Sequence, residues 1–264
     1  MIKAILFISS FLFVSFLSRG QIIINEYSCS NMNGPVDAFG EEEDWIEIYN
    51  PSATPFNLAG WYLSDRSGNL TKWQIPSGSV PANGYLVVFA SKRNTVVGNE
   101  LHTNFNLKQT REDWIILTNN LGNVVDSFFI VHRTKEDHSV GRESDGAATW
   151  RLFTTPTPGA SNVGGVNFYT PTPVMDLQPG FYVGPQIITI TCADGSAQIR
   201  YTTNGSVPTA TSTLYTGPIS MNATTVIRAV AFSSNLPSFT ETNTYFTNIT
   251  HTVPVVSISG QEVL

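Results

Sequence analysis

An acidic run, Asp37-Ala38-Phe39-Gly40-Glu41-Glu42-Glu43-Asp44, is the densest group of hard oxygen ligands in the chain. Asp37, Glu41, Glu42, Glu43 and Asp44 could coordinate Ca²⁺, which takes several carboxylate and carbonyl oxygens from a flexible loop. Their spacing is not that of a known calcium loop, so a solvated charged turn between two strands is the plainer reading and no metal site is assigned. His132, Glu136, Asp137 and His138 are the next cluster to weigh, as transition-metal ligands. They match no HExxH frame and no third histidine is near, so Asp137, Ser139 and Asp145 are expected to satisfy turn amides instead. Glycoside hydrolysis needs two carboxylates across a cleft. Glu26, Asp44 and Glu47 could be neighbours, but outward positions on strands account for them more simply. Serine and threonine are abundant without a Gly-x-Ser-x-Gly elbow, and neither Cys29 nor Cys192 has a charged flank that would lower its pKa. No catalytic residue, cofactor or binding residue is therefore assigned. Trp45, Trp61, Trp73, Trp114 and Trp150 all fall before Gly165, in the first domain, and alternation puts most of them in or against a core.

The elements that must carry these residues are strands. Helical periodicity is almost absent, whereas Ile22 to Tyr27, Trp45 to Tyr49, Trp61 to Ser64, Tyr85 to Phe89, Trp114 to Thr118 and Val124 to Ile130 read as short strands between turn formers. Further strands are expected at Gln186 to Thr191, Ala197 to Thr203, Thr224 to Ala231 and Thr242 to Phe246. The fold class is all-β: two immunoglobulin-like β-sandwich domains in tandem.

Composition divides the chain. From Gln21 to the Gly- and Pro-rich stretch around Gly165 there are 16 acidic and 10 basic residues, while beyond it stand only Asp176, Asp194, Glu241, Glu262, Arg200 and Arg228. The reading is a signal peptide at 1–20, a first sandwich at 21–165, a second at 166–250, and at 251–264 the possible start of a truncated third domain. Lys3, the apolar run Ala4 to Leu17 and Ser18-Arg19-Gly20 fit an exported leader cut before Gln21; the run is short for a membrane span, and an uncleaved anchor is the alternative. The final apolar run, Val255 to Ser259, either closes the second sandwich or opens a further domain. A net charge of −6 argues against nucleic acid as a general partner. The two cysteines imply no disulfide framework.

Local patterns along the first unit occur together in one order: Ile24-Asn25-Glu26, Glu43-Asp44-Trp45-Ile46-Glu47-Ile48-Tyr49-Asn50-Pro51, Leu58-Ala59-Gly60-Trp61-Tyr62-Leu63-Ser64-Asp65, Lys72-Trp73-Gln74-Ile75-Pro76, Ser139-Val140-Gly141-Arg142 and Pro156-Thr157-Pro158-Gly159. In combination they resemble the lamin tail domain, over about 21–162. The second unit, through Ile199-Arg200-Tyr201-Thr202-Thr203-Asn204-Gly205-Ser206-Val207-Pro208-Thr209 and Leu214-Tyr215-Thr216-Gly217-Pro218-Ile219, resembles the C-terminal domain of chitobiase and β-hexosaminidase, over about 171–248. In that family the module lies outside the active site. The order of the two, with Val253-Pro254-Val255-Val256-Ser257-Ile258 after them, is similar to secreted bacterial proteins that continue into a CotH-type kinase-like domain.

The resemblance and the leader imply a secreted or cell-surface bacterial protein, non-catalytic within 21–264, whose modules serve adhesion, binding or spacing. Its expected partner is an extracellular protein or polysaccharide, with no nucleic acid and no membrane span after signal cleavage. Two alternatives stand beside it: the accessory region of a larger extracellular enzyme, CotH-type kinase-like or hydrolase, and a carbohydrate-binding module pair. A nuclear filament role conflicts with the leader and with the lack of a heptad rod.

Overall fold

The computed structural model describes residues 22–110 and 113–249. The expected leader and the run from Val253 lie outside them. Among the described residues there is no helix, and the chain separates into two compact units, Met1–Gly165 and Val166–Leu264.

The first unit contains β1 (Ile23–Ser28), β2 (Trp45–Asn50), β3 (Phe56–Asn57), β4 (Tyr62–Ser64), β5 (Trp73–Gln74), β6 (Ser79–Val80) and β7 (Gly84–Phe89). It continues with β8 (Thr95–Val97), β9 (Glu100–His102), β10 (Asp113–Thr118), β11 (Val124–Ile130), β12 (Ser139–Arg142) and β13 (Trp150–Phe153). Seven of these form one sheet in the order β13-β12-β1-β2-β7-β9-β8, and four form the facing sheet, β11-β10-β4-β5. A small ribbon pairs β3 with β6. Ile46, Ile48, Ile115, Leu117 and Val140 are fully buried. Tyr27 of the larger sheet meets Phe128 of the smaller at 5.3 Å between ring centroids, so Tyr27 marks the face turned to the core.

The register of β1 is broken once. Ile24 pairs with Ile48 and Glu26 with Glu47, so Asn25 is the extra residue of a β-bulge. Cross-strand partners share a face, and Ile46 and Ile48 share theirs because side chains alternate. Tyr27, paired with Ile46, and Ile24 therefore both turn inward. Plain alternation from Ile22 and Ile24 would have sent Glu26 into the apolar core with them. The bulge instead turns Asn25 and Glu26 together to the opposite face, beside Glu47.

The second unit contains β14 (Val174–Met175), β15 (Gly180–Tyr182), β16 (Gln186–Ile188), β17 (Ile190–Thr191), β18 (Gln198–Thr202), β19 (Thr213–Leu214), β20 (Ile219–Met221), β21 (Thr225–Phe232) and β22 (Glu241–Thr247). A five-stranded sheet, β15-β22-β21-β18-β19, and two ribbons, β14-β17 and β16-β20, enclose Met175, Ile188, Ile190, Met221, Ile227, Ala229 and Tyr245. The stretch expected as one strand, Gln186 to Thr191, changes partners at Thr189. There the Thr189 amide donates to Asp176 Oδ1 at 2.8 Å, which lets Ile188 and Ile190 stay in the core while their backbones join different ribbons.

Candidate functional site

The strongest concentration of buried ionisable groups lies on the outer face of the seven-stranded sheet. Glu26 and Glu47 are cross-strand partners, and both are fully buried. Both do point away from the apolar core, as outward strand positions, yet neither reaches solvent. What covers them is the chain beyond β13. Thr157 donates its amide to Glu26 Oε1 at 3.1 Å and its hydroxyl to Oε2 at 2.7 Å, and Ser139 Oγ donates to Oε1. Gly159 donates its amide to Glu47 Oε2 at 2.6 Å.

Asn25, placed by the bulge, ties the cluster together. Its Nδ2 lies 2.9 Å from Glu47 Oε1, 3.0 Å from Asp145 Oδ1 and 3.1 Å from Asn162 Oδ1, three acceptors around an amide with two hydrogens. Asn162 Nδ2 in turn donates to the Arg142 carbonyl at 2.7 Å. Asp145 accepts the Asn162 amide at 3.0 Å and the Tyr85 hydroxyl at 2.6 Å, and Tyr85 also meets Ser161 at 2.8 Å. Where β12 stops pairing with β1, Asp126 accepts the Ile24 amide and Arg142 donates to the Ile24 carbonyl, with 2.8 Å between the Arg142 and Asp126 charges.

Electrostatics divide the carboxyls. Burial pushes Glu47 up to about 8, with nearby Glu26 and Asp145 adding to it, so it holds its proton at neutral pH. Burial also raises Glu26, against the hydrogen bonds from Ser139 and Thr157. At Asp145 burial is outweighed by the Asn162 amide, Tyr85 and Asn25, and the carboxyl falls below its ordinary value. One charge is thus stabilised at Asp145 by donors, next to a carboxylic acid kept neutral at Glu47. This arrangement can clamp a chain segment. It offers no open face to a substrate, because Glu26 and Glu47 are covered by the segment they hold.

The acidic loop behaves differently from residue to residue. Asp37 is turned inward, where its Oδ1 accepts the Phe39 and Glu41 amides and its Oδ2 lies 3.7 Å from Arg93 Nε and from His102 Nδ1. Glu43 lies 3.5 Å from Arg93, and Asp44 is half-buried, pushed up to about 7 by burial and then by Glu43. Glu41 and Glu42 are exposed. Among the described residues no three acidic, cysteine or histidine side chains are grouped to hold a metal ion.

Asp137 has a φ of 57° and accepts the Met32 and Asn33 amides at 2.8 Å, so it does bind turn amides. Asp145 binds one as well, that of Asn162, besides its side-chain partners. Ser139 does not: its hydroxyl goes to Glu26, because the bulge brings that carboxylate beside β12. Trp45 and Trp73 are buried, while Trp61, Trp114 and Trp150 are half-buried and each rests on a phenylalanine, Trp150 at 4.1 Å from Phe128. Both cysteines are free. The Thr202 to Thr209 turn of the second unit satisfies itself, with Ser206 donating its amide and hydroxyl to Asn204 Oδ1 at 3.1 and 2.7 Å.

A fold of this kind, all strands in two units with a polar clasp fastening the end of the first, defines a protein of tandem immunoglobulin-like β-sandwich domains. Comparison with protein families gives the particulars: residues 17–132 match the Lamin Tail Domain and residues 177–244 match the Chitobiase/beta-hexosaminidase C-terminal domain. No curated protein matches the chain. The first match ends at residue 132, yet β12 and β13 complete the same sheet and residues 139–162 supply the part of the clasp that covers Glu26 and Glu47.

Proposed function

We propose that this chain is a non-catalytic pair of binding modules from a secreted or cell-surface protein, acting by adhesion to an extracellular protein or polysaccharide. The observation that carries the reading is the fate of the Glu26–Glu47 pair. Two facing carboxyls are the arrangement from which acid–base chemistry could be built, and here their oxygens are occupied by Ser139, Thr157, Gly159 and Asn25. Polar groups of this kind fix a loop on a rigid sandwich, and loops so fixed are the usual binding surfaces of such folds. The test is protease shaving of intact cells, followed by adhesion of beads coated with the purified chain. Release of its peptides by shaving and adhesion above uncoated beads support the reading; a chain protected inside cells, or beads that do not adhere, sinks it.

A second reading, the accessory region of a larger extracellular enzyme of CotH-kinase-like or hydrolase type, draws its support from the apolar run Val253 to Ile258. Both family matches end by residue 244. Intact mass of the native protein separates the two, since this reading requires a product much longer than 264 residues.

A further inference from the structure

The first unit carries a groove of about 580 Å³, within the roughly 300–1,000 Å³ of small-ligand sites, and its lining includes none of the clasp's side chains. Three segments make its walls: the end of β3 and the turn after it, with Asn57 and Ala59, the turn before β6, with Ser77 and Gly78, and the tip of the β8–β9 hairpin, with Gly98 and Asn99. Leu86 of β7 and Leu101 of β9 form the floor. The groove stays open because its walls are small. Gly78 has a φ of +142°, and a Cβ there would project onto the floor, 3.3 Å from Leu101 Cδ1 and 3.5 Å from Leu86 Cδ2.

The lining has a consistent chemistry. Among the described residues no Asp, Glu, Lys, Arg or His lines the groove, which disfavours phosphates, metal ions and charged peptides. Its polar side chains are amides and hydroxyls, Asn57, Asn99, Ser77 and Ser79, which both donate and accept, as sugar hydroxyls do. Leu86, half-buried, offers an apolar patch to the C–H face of a pyranose ring, and the fully buried Leu101 backs it from beneath. Asn57 Oδ1 is engaged by the Ala59 amide at 2.9 Å, so this rim is held in place before a ligand arrives.

We propose that the groove bounded by Asn57, Ser77, Ser79 and Asn99 over Leu86 and Leu101 binds a short stretch of neutral polysaccharide. The inference rests on the adhesive reading above and names its ligand class. The test is affinity electrophoresis of the purified chain in gels containing dextran, laminarin or galactomannan, with Ser77→Trp to fill the groove and Asn99→Ala to remove one amide, both checked for an unchanged circular dichroism spectrum. Should Ser77→Trp fail to fold, Asn99→Ala alone decides. The expected result is retardation by at least one of these polymers, abolished in Ser77→Trp and reduced about five-fold or more in Asn99→Ala. Retardation by none of them, retardation unchanged in the variants, or displacement by an uncharged peptide and not by the free oligosaccharide overturns the proposal. Beads that adhere to cells while the groove variants adhere equally well overturn the groove and leave the adhesive reading standing; beads that fail to adhere while the gels retard the chain do the reverse.

Discussion

Glu26 and Glu47 stand directly opposite one another on adjacent strands, fully buried, with the chain beyond β13 folded over them. Like charges so placed repel, and burial disfavours both, so the pair is tolerated by keeping a proton. This gives stability a definite pH dependence. Glu47 titrates near 8 in the fold, against an ordinary value of 4.5. Between those limits the folded state binds the proton that the unfolded state has lost, so this group's effect is fully favourable below about 4.5 and declines as pH rises towards 8. Asp44, raised to about 7 by burial, slopes the same way. Denaturant unfolding across pH 4 to 9 is expected to show falling stability, and Glu47→Gln to flatten the fall by on the order of a few kcal/mol. An unchanged slope in that variant would mean that Glu47 is ionised in the fold.

Gly141 of β12 is the direct cross-strand partner of Glu26 in β1. A Cβ there would sit 2.9 Å from Glu26 Cγ, 2.9 Å from Asn162 Nδ2 and 3.1 Å from the Asn25 carbonyl oxygen. The flexible part of Glu26 is already fixed by its donors, so no neighbour can retreat cheaply. Gly141→Ala is expected to lower stability by about 1–3 kcal/mol, the ordinary cost of overpacking. Gly68→Ala, where a Cβ meets nothing within 4 Å, serves as the control and is expected to leave the melting temperature nearly unchanged.

These relationships show how far the chain could be read in advance. The strand at Val124–Ile130 falls where alternation puts it, and Ile24-Asn25-Glu26, Ser139-Val140-Gly141-Arg142 and Pro156-Thr157-Pro158-Gly159 could each be picked out as pieces of a family pattern. That the three converge on one buried cluster could not be read, since they are brought together over more than 100 residues of chain by strand order. That Glu26 points outward was expected from its charge, but the bulge that turns it there was hidden for a more local reason. A period of two cannot register the bulge at Asn25, and one extra residue reverses the face of everything after it. Very short strands such as β3, β5, β6, β8 and β9 escape the pattern because two or three residues give alternation nothing to repeat. The neutral groove among them has no acidic, basic or nucleophilic motif to announce it.

The clasp is expected to be what holds residues 155–162 against the sheet. Thr157→Val keeps the shape of that side chain and removes the hydroxyl that lies 2.7 Å from Glu26 Oε2. A buried acceptor left short of a donor costs about 1–3 kcal/mol. Because the loss falls on one short segment, we expect local opening ahead of global unfolding. Amide hydrogen exchange by mass spectrometry is expected to show faster exchange in peptides covering 155–162, with β10 and β11 unchanged. Uniform acceleration throughout the first unit would show that the segment is integral to the whole sandwich.

In the second unit one hydroxyl has a comparable task. Tyr245 is fully buried in the core, and its hydroxyl donates to the Leu177 carbonyl at 2.9 Å while lying 3.4 Å from Met175 Sδ. It therefore links β22 to the segment just after β14. Burial raises its pKa, so the hydroxyl stays protonated and donating through the neutral range. Tyr245→Phe retains the ring and its packing against Tyr182 at 6.2 Å, but leaves the Leu177 carbonyl without this donor. The expected loss is about 1–2 kcal/mol in the stability of the second unit alone, because additivity holds between sites that share no partners. Differential scanning calorimetry with exchange mass spectrometry as a local readout checks this. A loss confined to peptides of 166–249 agrees with the assignment, whereas an equal loss of protection around Glu26 and Glu47 would show that the two units unfold as one.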